Sequence, residues 1–217
     1  MYKTVVFDLD GTLLNTLTDL ADAGNRLCRK YGWPTHERQA YRYFVGNGIP
    51  KLVERLAPAD QRTPAVLEAA LADFKRDYGQ HLRDTTAPYP GIPEMLAKLE
   101  ANGVQLAVFS NKADALAKEV VKDYFGTQYF TIVRGQMTGV APKPAAEGTN
   151  ALLQALHADP ASTLYVGDSN VDVETAHNAN LPCCGAVWGF RTREELNAAG
   201  AEYLAENSDE LYDVIMK

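Results

Sequence analysis

The second half of this chain alternates short apolar segments with helical segments of about ten residues. The apolar runs at 104–109, 130–133, 163–166 and 184–187 predict strands, as does an isolated run at 4–7 far upstream. Strands that are apolar along their whole length and are separated by helices indicate βαβ units. We therefore predict an α/β fold with a doubly wound parallel sheet covered by helices on both faces.

The long segment between the first two predicted strands carries only helical signals. Residues typical of helix N-termini occur inside it at Pro50 and at Thr63-Pro64. Residues 84–91 are polar and contain proline, a composition typical of a linker. We expect an α/β core made of residues 1–15 and 86–217, interrupted by an all-helical cap domain of residues 16–85.

The first helix of the insert has the clearest pattern. Residues 17–31 place apolar side chains at helical spacing on one face, and Gly32 marks the end of the helix. Thr16 followed by Asp19 has the spacing of a capping box, which predicts that their side chains cap this helix.

Charge and composition exclude several classes of partner. The formal net charge is −7, and no cluster of Lys and Arg provides a surface for nucleic acid or anionic lipid. No apolar run is long enough for a signal peptide or a membrane span. Three cysteines, two of them adjacent, are typical of buried thiols in a reducing compartment. We expect a cytoplasmic protein without a membrane or nucleic-acid partner.

Polar residues able to do chemistry follow three of the predicted strands. The first strand is followed by Asp8-Leu9-Asp10-Gly11-Thr12, the second by Ser110-Asn111-Lys112, and the fourth by Gly167-Asp168-Ser169-Asn170-Val171-Asp172. Each cluster alone is compatible with an ordinary turn or helix cap. Ligands of open parallel sheets bind at the carboxyl ends of strands, so three such clusters together predict a binding site there.

The charges of these clusters indicate which ligand they suit. Asp8, Asp10 and Asp168 would repel one another at neighbouring strand ends without a cation, and Mg²⁺ prefers hard oxygen ligands of this kind. Lys143 offers a positive charge, and Ser110 precedes backbone amides at a helix start. Cation and donors together suit a phosphate group.

The ordered set Asp8-x-Asp10-Gly11-Thr12, Ser110-Asn111-Lys112, Lys143 and Gly167-Asp168-Ser169-x-x-Asp172 resembles the haloacid dehalogenase superfamily of phosphohydrolases. Within it, the chain is similar to the phosphoglycolate phosphatase-like branch, whose helical cap is inserted just after the first motif. The resemblance covers nearly the whole chain. It implies a Mg²⁺-dependent phosphatase that acts on a small phosphorylated metabolite through an aspartyl-phosphate intermediate.

The same resemblance assigns roles to individual residues. It implies that Asp8 is the nucleophile, and that Asp10 protonates the leaving oxygen and then takes a proton from water. Mg²⁺ would bind the side chains of Asp8 and Asp168 and the backbone carbonyl of Asp10, and Asp172 would orient these ligands. Four residues are implied to contact phosphate: Thr12, Ser110, Asn111 and Lys143.

The chain departs from the branch at three places. Asn15 stands where the branch commonly has Asp, and the segment after Lys143 lacks the second of two usual prolines. Asn180 stands where glycine is usual. Because Asn also tolerates a left-handed helix terminus, we expect Asn180 to adopt that conformation.

The strand-end residues contact only a phosphoryl group, so discrimination between substrates must come from elsewhere. We expect it in the cap, where Gly46-Asn47-Gly48 precedes a helix start and is flanked by two cations, Arg42 and Lys51. This loop would contact the non-phosphoryl end of the substrate, such as a carboxylate. An ordinary interhelical turn is the alternative.

Other functions remain open at this level. A pyrophosphatase or a sugar-phosphate mutase of the same superfamily would use the same core residues. A phospho-acceptor signalling module also uses a strand-end Asp with Mg²⁺, but such modules are shorter and have no helical insert. The sequence is compatible with a monomer or a homodimer.

Overall fold

A computed structural model describes all 217 residues. The chain contains eight strands: β1 (Thr4–Phe7), β2 (Leu14–Asn15), β3 (Ala87–Pro88), β4 (Gln105–Ala113), β5 (Phe130–Gln136), β6 (Thr163–Gly167), β7 (Cys183–Ala186) and β8 (Tyr203–Ala205). It contains ten α-helices: α1 (Leu17–Tyr31), α2 (Tyr41–Phe44), α3 (Ile49–Leu56), α4 (Pro64–Gln80), α5 (Ile92–Ala101), α6 (Asp114–Phe125), α7 (Ala146–Leu156), α8 (Asn170–Asn178), α9 (Arg193–Ala198) and α10 (Ser208–Met216).

Six strands form one sheet in the order β5-β4-β1-β6-β7-β8, with every neighbouring pair parallel. The prediction of a doubly wound parallel sheet is therefore confirmed. Strand β1 lies inside the sheet between β4 and β6, and all four of its residues are buried. The chain adds β4 and β5 on one side of β1 and then returns to add β6 on the other, which creates a topological switch point beside β1.

The chain divides into two compact units. One comprises Met1–Asn15 and Pro88–Lys217, and the other comprises Thr16–Ala87. The second unit is helical, with α4 packing against both α1 and α3. The chain passes between the units at β2 and β3, which pair with each other as a separate two-stranded sheet. No helix in the chain has the length and apolar character needed to cross a bilayer.

Two local predictions have opposite outcomes. The capping box at the start of α1 is wrong: Thr16 caps nothing with its side chain, and the Asp19 carboxylate accepts hydrogen bonds from Thr85 and Thr86 instead. Asn180 adopts a φ of 57°, as its position in place of glycine predicted. The first-turn carboxylate of Asp19 therefore binds residues near the end of the helical unit instead of capping α1.

Candidate active site

The three polar clusters meet at the carboxyl ends of β1, β4 and β6. These strands are direct neighbours. Asp8 and Asp168, which follow β1 and β6, therefore lie at the same edge of the sheet as Ser110, which is in the last part of β4. The backbone N–H of Asp8 still donates to Val166 O at 2.8 Å, which fixes the start of the first cluster against β6. All three side chains are buried.

Three carboxylates form the centre of the site. Oxygens of Asp8, Asp168 and Asp172 lie within 4.8 Å of one another. Burial raises the pKa of Asp8 to about 7 although Lys143 opposes the change, and the negative charges of Asp172 and Asp10 add to it. Burial, together with the charges of Asp172 and Asp8, also raises the pKa of Asp168 well above its usual value. Three buried carboxylates this close together need nearby positive charge if all of them are to be ionised.

Lys143 supplies part of that charge. Its Nζ lies 2.7 Å from Asp8 Oδ1 and 2.7 Å from Asp172 Oδ1. It also lies 3.2 Å from the hydroxyl of Tyr165, a fully buried side chain of β6. Burial lowers the pKa of Lys143, but Asp172 and Asp8 outweigh this effect and raise the pKa well above its usual value. Lys143 therefore remains an ammonium inside the site.

Asn111 holds Lys143 by its backbone. The Asn111 Oδ1 accepts from the Lys143 N–H at 2.8 Å, and Asn111 Nδ2 donates to the Lys143 carbonyl at 3.2 Å. The sequence interpretation assigned Asn111 to phosphate, whereas here both ends of its amide contact the Lys143 backbone. The neighbouring Ser110 Oγ accepts from the backbone N–H of Lys112 at 3.2 Å.

Asp172 is oriented by the start of helix α8. Its Oδ2 accepts from Ser169 N at 3.1 Å and from Ser169 Oγ at 2.7 Å, which completes a capping box. This arrangement leaves Oδ1 directed at Lys143. The family resemblance implies an orienting role for Asp172, and its carboxylate lies inside the acidic cluster itself.

Asp168 lies in a close-fitting pocket of backbone. Its Oδ2 accepts from Phe190 N at 2.7 Å, and its Oδ1 accepts from the Thr12 hydroxyl at 3.3 Å. A Cβ added to Gly11 would lie 2.4 Å from Asp168 Oδ2, and one added to Gly189 would lie 2.2 Å from Asp168 Cβ. Gly11 also has a φ of +96°, so only glycine fits there without strain. Thr12, assigned to phosphate from the sequence, here contacts Asp168.

Asp10 lies outside the three-carboxylate cluster and pairs with a second lysine. Lys112 Nζ lies 3.0 Å from Asp10 Oδ1 and 3.3 Å from Asp10 Oδ2. Lys112 belongs to the Ser110-Asn111-Lys112 motif, but the sequence predicts no separate role for it. The predicted strand ends at residue 109, whereas β4 continues to Ala113 and buries the Lys112 side chain beside Asp10.

The predicted specificity residues surround the start of α3. Gly46 and Gly48 have φ of 111° and 82°, and α3 begins at Ile49 directly after them. Asn47 Oδ1 accepts from Arg55 Nη2 at 2.8 Å, while Lys51 pairs with Glu54 at 2.8 Å. Arg42 lies on α2. The loop is therefore held by Arg55, a cation that sequence reasoning missed.

The donor set of the acidic cluster fits a hard divalent cation. Asp8, Asp168 and Asp172 with Lys143 leave a formal charge of two negatives in a buried space. All offered donors are carboxylate oxygens, which Mg²⁺ and Ca²⁺ prefer over softer metals. Burial and the neighbouring carboxylates raise the pKa values of Asp8 and Asp168, and a bound cation would oppose this effect.

Known proteins match this chain over nearly its whole length. A family model of haloacid dehalogenase-like hydrolases matches residues 5–186. The phosphoglycolate phosphatase of Chromobacterium violaceum is 31% identical over 216 residues, which covers 98% of this chain and 96% of that protein. The phosphoglycolate phosphatase of Vibrio vulnificus strain YJ016 is 30% identical over 222 residues, with 99% and 96% covered.

Solved structures extend the comparison to the fold. A protein of Lactobacillus delbrueckii subsp. bulgaricus, provisionally assigned as a phosphoglycolate phosphatase, has a TM-score of 0.93 and is 28% identical; 99% of this chain and 98% of that one are covered. A match of that extent includes the helical unit as well as the sheet unit.

Proposed function

This chain belongs to the haloacid dehalogenase-like hydrolases, and on that premise we propose that it is a Mg²⁺-dependent phosphatase of small phosphomonoesters. The observation that carries the proposal is the buried group of Asp8, Asp168 and Asp172 around the ammonium of Lys143. Relatives named phosphoglycolate phosphatases support a small phosphorylated acid as the substrate. The reaction would proceed through a phosphoryl group carried on Asp8.

In the first half-reaction, a carboxylate oxygen of Asp8 attacks phosphorus, and the bond from phosphorus to the ester oxygen breaks. The leaving oxygen takes a proton from the acid form of Asp10 and departs as an alcohol. The position of Lys143 Nζ, 2.7 Å from Asp8 Oδ1, supports a role in neutralising the charge of the transferring group.

In the second half-reaction, a water molecule attacks phosphorus on Asp8 and gives its proton to the Asp10 carboxylate. The bond from phosphorus to the Asp8 oxygen breaks, which releases inorganic phosphate and restores the Asp8 carboxylate. Asp10 is left protonated for the next cycle. Its position outside the acidic cluster supports this separate duty as acid and base.

The side chains of Asp8 and Asp168 would hold Mg²⁺, and Asp172 would orient them or join them as a ligand. When bound, the cation supplies the positive charge that keeps Asp8 ionised and neutralises phosphoryl oxygens. Phe190 N and the Thr12 hydroxyl keep Asp168 in place for this purpose.

We assign recognition of the rest of the substrate to the cap loop Gly46-Asn47-Gly48. Support comes from the helix start that follows it, where backbone amides and the helix dipole favour an anion such as a carboxylate. Arg55 donates to Asn47 Oδ1 and to the Phe44 carbonyl, which holds one cation at the loop, while Lys51 pairs with Glu54 on α3.

The test measures inorganic phosphate released by the purified protein from 2-phosphoglycolate and from p-nitrophenyl phosphate, with Mg²⁺. The same assay includes pyrophosphate and a hexose phosphate. We expect phosphate release from the monoesters and little from pyrophosphate. A phosphohexose isomer formed without free phosphate would indicate a mutase, and no turnover of any ester would overturn the proposal.

A further inference from the structure

We infer that Lys112 is a positioning residue for Asp10, an inference that rests on the proposed phosphatase function. Lys112 Nζ contacts both carboxylate oxygens of Asp10, at 3.0 and 3.3 Å. A single ammonium placed across both oxygens restrains the plane of the carboxylate as well as its position. Asp10 thereby faces the reacting phosphoryl group in one orientation.

The surroundings of Lys112 fix its own position. Its side chain is 2% exposed and that of Asp10 is 14% exposed, so the ammonium is enclosed and the carboxylate keeps limited access to solvent. The Lys112 backbone N–H donates to Ser110 Oγ. A Cβ on the neighbouring Gly135 would lie 2.4 Å from the Lys112 carbonyl oxygen, which shows how closely β5 approaches this peptide. Lys112 is therefore a rigid support and not a mobile surface lysine.

The site uses its two buried lysines for different carboxylates. Lys143 bridges Asp8 and Asp172, which belong to the cation-binding cluster. Lys112 pairs with Asp10, whose carboxylate is outside that cluster. A carboxylate that drifted into the cluster would become a cation ligand and would be lost for proton transfer. Lys112 keeps the Asp10 carboxylate apart, beside the carboxylates that would bind the metal but not among them.

A purely stabilising ion pair is the competing explanation, and kinetics separate the two. Proton donation by Asp10 matters for an alkyl leaving group and hardly at all for p-nitrophenolate, which leaves unprotonated. A displaced Asp10 should therefore slow the phosphorylation step only for the alkyl ester. General loss of structure would slow this step equally for both esters.

The experiment compares K112M, which keeps a long apolar stem without charge, with wild type on 2-phosphoglycolate and p-nitrophenyl phosphate. We expect kcat/KM for the alkyl ester to fall about 100-fold, the size typical of a misplaced catalytic group. We expect kcat/KM for the aryl ester to change less than about threefold while its kcat falls, because the second step also needs Asp10. A burst of p-nitrophenol before steady state would then appear.

Three further comparisons separate a positioning role from a structural one. K118M removes another lysine–aspartate pair, Lys118 with Asp114 on α6, which is exposed, and it should leave both substrates unaffected. K112R retains the charge and should recover most of the alkyl-ester activity even if K112M folds poorly. In a D10N background, adding K112M should cause little further loss, since the two residues act as a unit.

Each outcome decides one question. Equal losses of kcat/KM on both esters, no loss on either, or additive losses with D10N would overturn the role of Lys112 while the phosphatase function stands. A wild-type protein that hydrolyses neither ester would overturn the proposed function first.

Discussion

Replacement of Asp19 by alanine should destabilise the helical unit more than any neighbouring surface change. Asp19 is buried on the first helix of that unit and accepts hydrogen bonds from the unit's last residues. Thr85 N and Oγ1 donate to Oδ1 at 2.9 and 2.5 Å, and Thr86 N and Oγ1 donate to Oδ2 at 2.9 and 2.7 Å. One carboxylate thus joins the beginning and end of a segment of about seventy residues.

The burial of the donors sets the size of the effect. Thr85 is exposed, so water can replace the carboxylate at its two donors. Thr86 is 6% exposed, and its N–H and hydroxyl would both lose the Asp19 carboxylate, a charged and buried acceptor. Removing one partner of a buried hydrogen bond costs about 1–3 kcal/mol. We therefore expect Asp19→Ala to lower the free energy of unfolding of the helical unit by about 2–4 kcal/mol.

The assay is urea unfolding followed by tryptophan fluorescence. Of the two tryptophans, Trp33 lies in the helical unit and Trp188 in the other, so a W188F background reports on the helical unit alone. Asp22→Ala is the matched control, because Asp22 is an exposed carboxylate on the same helix. That variant should change the unfolding free energy by less than about 0.5 kcal/mol.

The effect should depend on pH in one direction. Burial raises the pKa of Asp19, but the hydrogen bonds from Thr85 and Thr86 outweigh burial and lower the pKa overall. A carboxyl whose pKa is lower in the folded protein adds stability above its unfolded pKa of about 3.9. That stability is lost as the pH falls through the folded pKa. The difference in unfolding free energy between wild type and Asp19→Ala should therefore be largest at pH 7 and should decrease towards pH 3. Equal urea midpoints for Asp19→Ala and Asp22→Ala at pH 7 would refute this reasoning. An unchanged difference in unfolding free energy between wild type and Asp19→Ala at pH 3 would also refute it.

Three further predictions concern the site. Asp8→Asn should reduce kcat to below about 1% of wild type with an unchanged melting temperature, because an amide is a poor nucleophile. Steady-state hydrolysis of p-nitrophenyl phosphate measures this, and substantial residual turnover would contradict it. Excess chelator should abolish activity and Mg²⁺ should restore it, whereas Ca²⁺ should inhibit because it prefers more ligands at longer distances; full activity in chelator would exclude the metal. Asn47→Ala should weaken transition-state binding of 2-phosphoglycolate by about 1–3 kcal/mol, measured from kcat/KM. The kcat/KM for p-nitrophenyl phosphate should stay almost unchanged, and equal effects on both substrates would place recognition elsewhere.

The sequence predicted the sheet well because its inner strands are apolar on both faces. The elements that it missed are short or polar: β8 has three residues, with only Ala205 buried, and α9 has six. Helix α10 and the two strands β2 and β3 were missed for similar reasons. The extension of β4 to Ala113 was also missed, since polar residues such as Ser110 and Asn111 rarely continue a buried strand.

The site was predicted at the level of residues but not of partners. Asp8 and Asp168 were located because they follow predicted strands, whereas Lys143 was identified by its charge and by the family resemblance. The sequence could not show that Asp172 enters the acidic cluster, or that Asn111 holds the Lys143 backbone. Those contacts depend on loop conformations and helix starts, which a linear pattern does not contain.

The pairing of β2 with β3 has a consequence for how such a chain can be altered. Leu14–Asn15 and Ala87–Pro88 run side by side, so the polypeptide leaves the sheet unit and re-enters it at nearly one point. Strands paired in this way are about 5 Å apart, a gap that a turn of a few residues spans. The helical unit is therefore a cassette: it can be shortened, exchanged or replaced by a turn without changing the length of any strand in the sheet. If the helical unit selects the substrate as proposed, exchange of the cassette would change selectivity while Asp8, Asp168 and Lys143 stay in place.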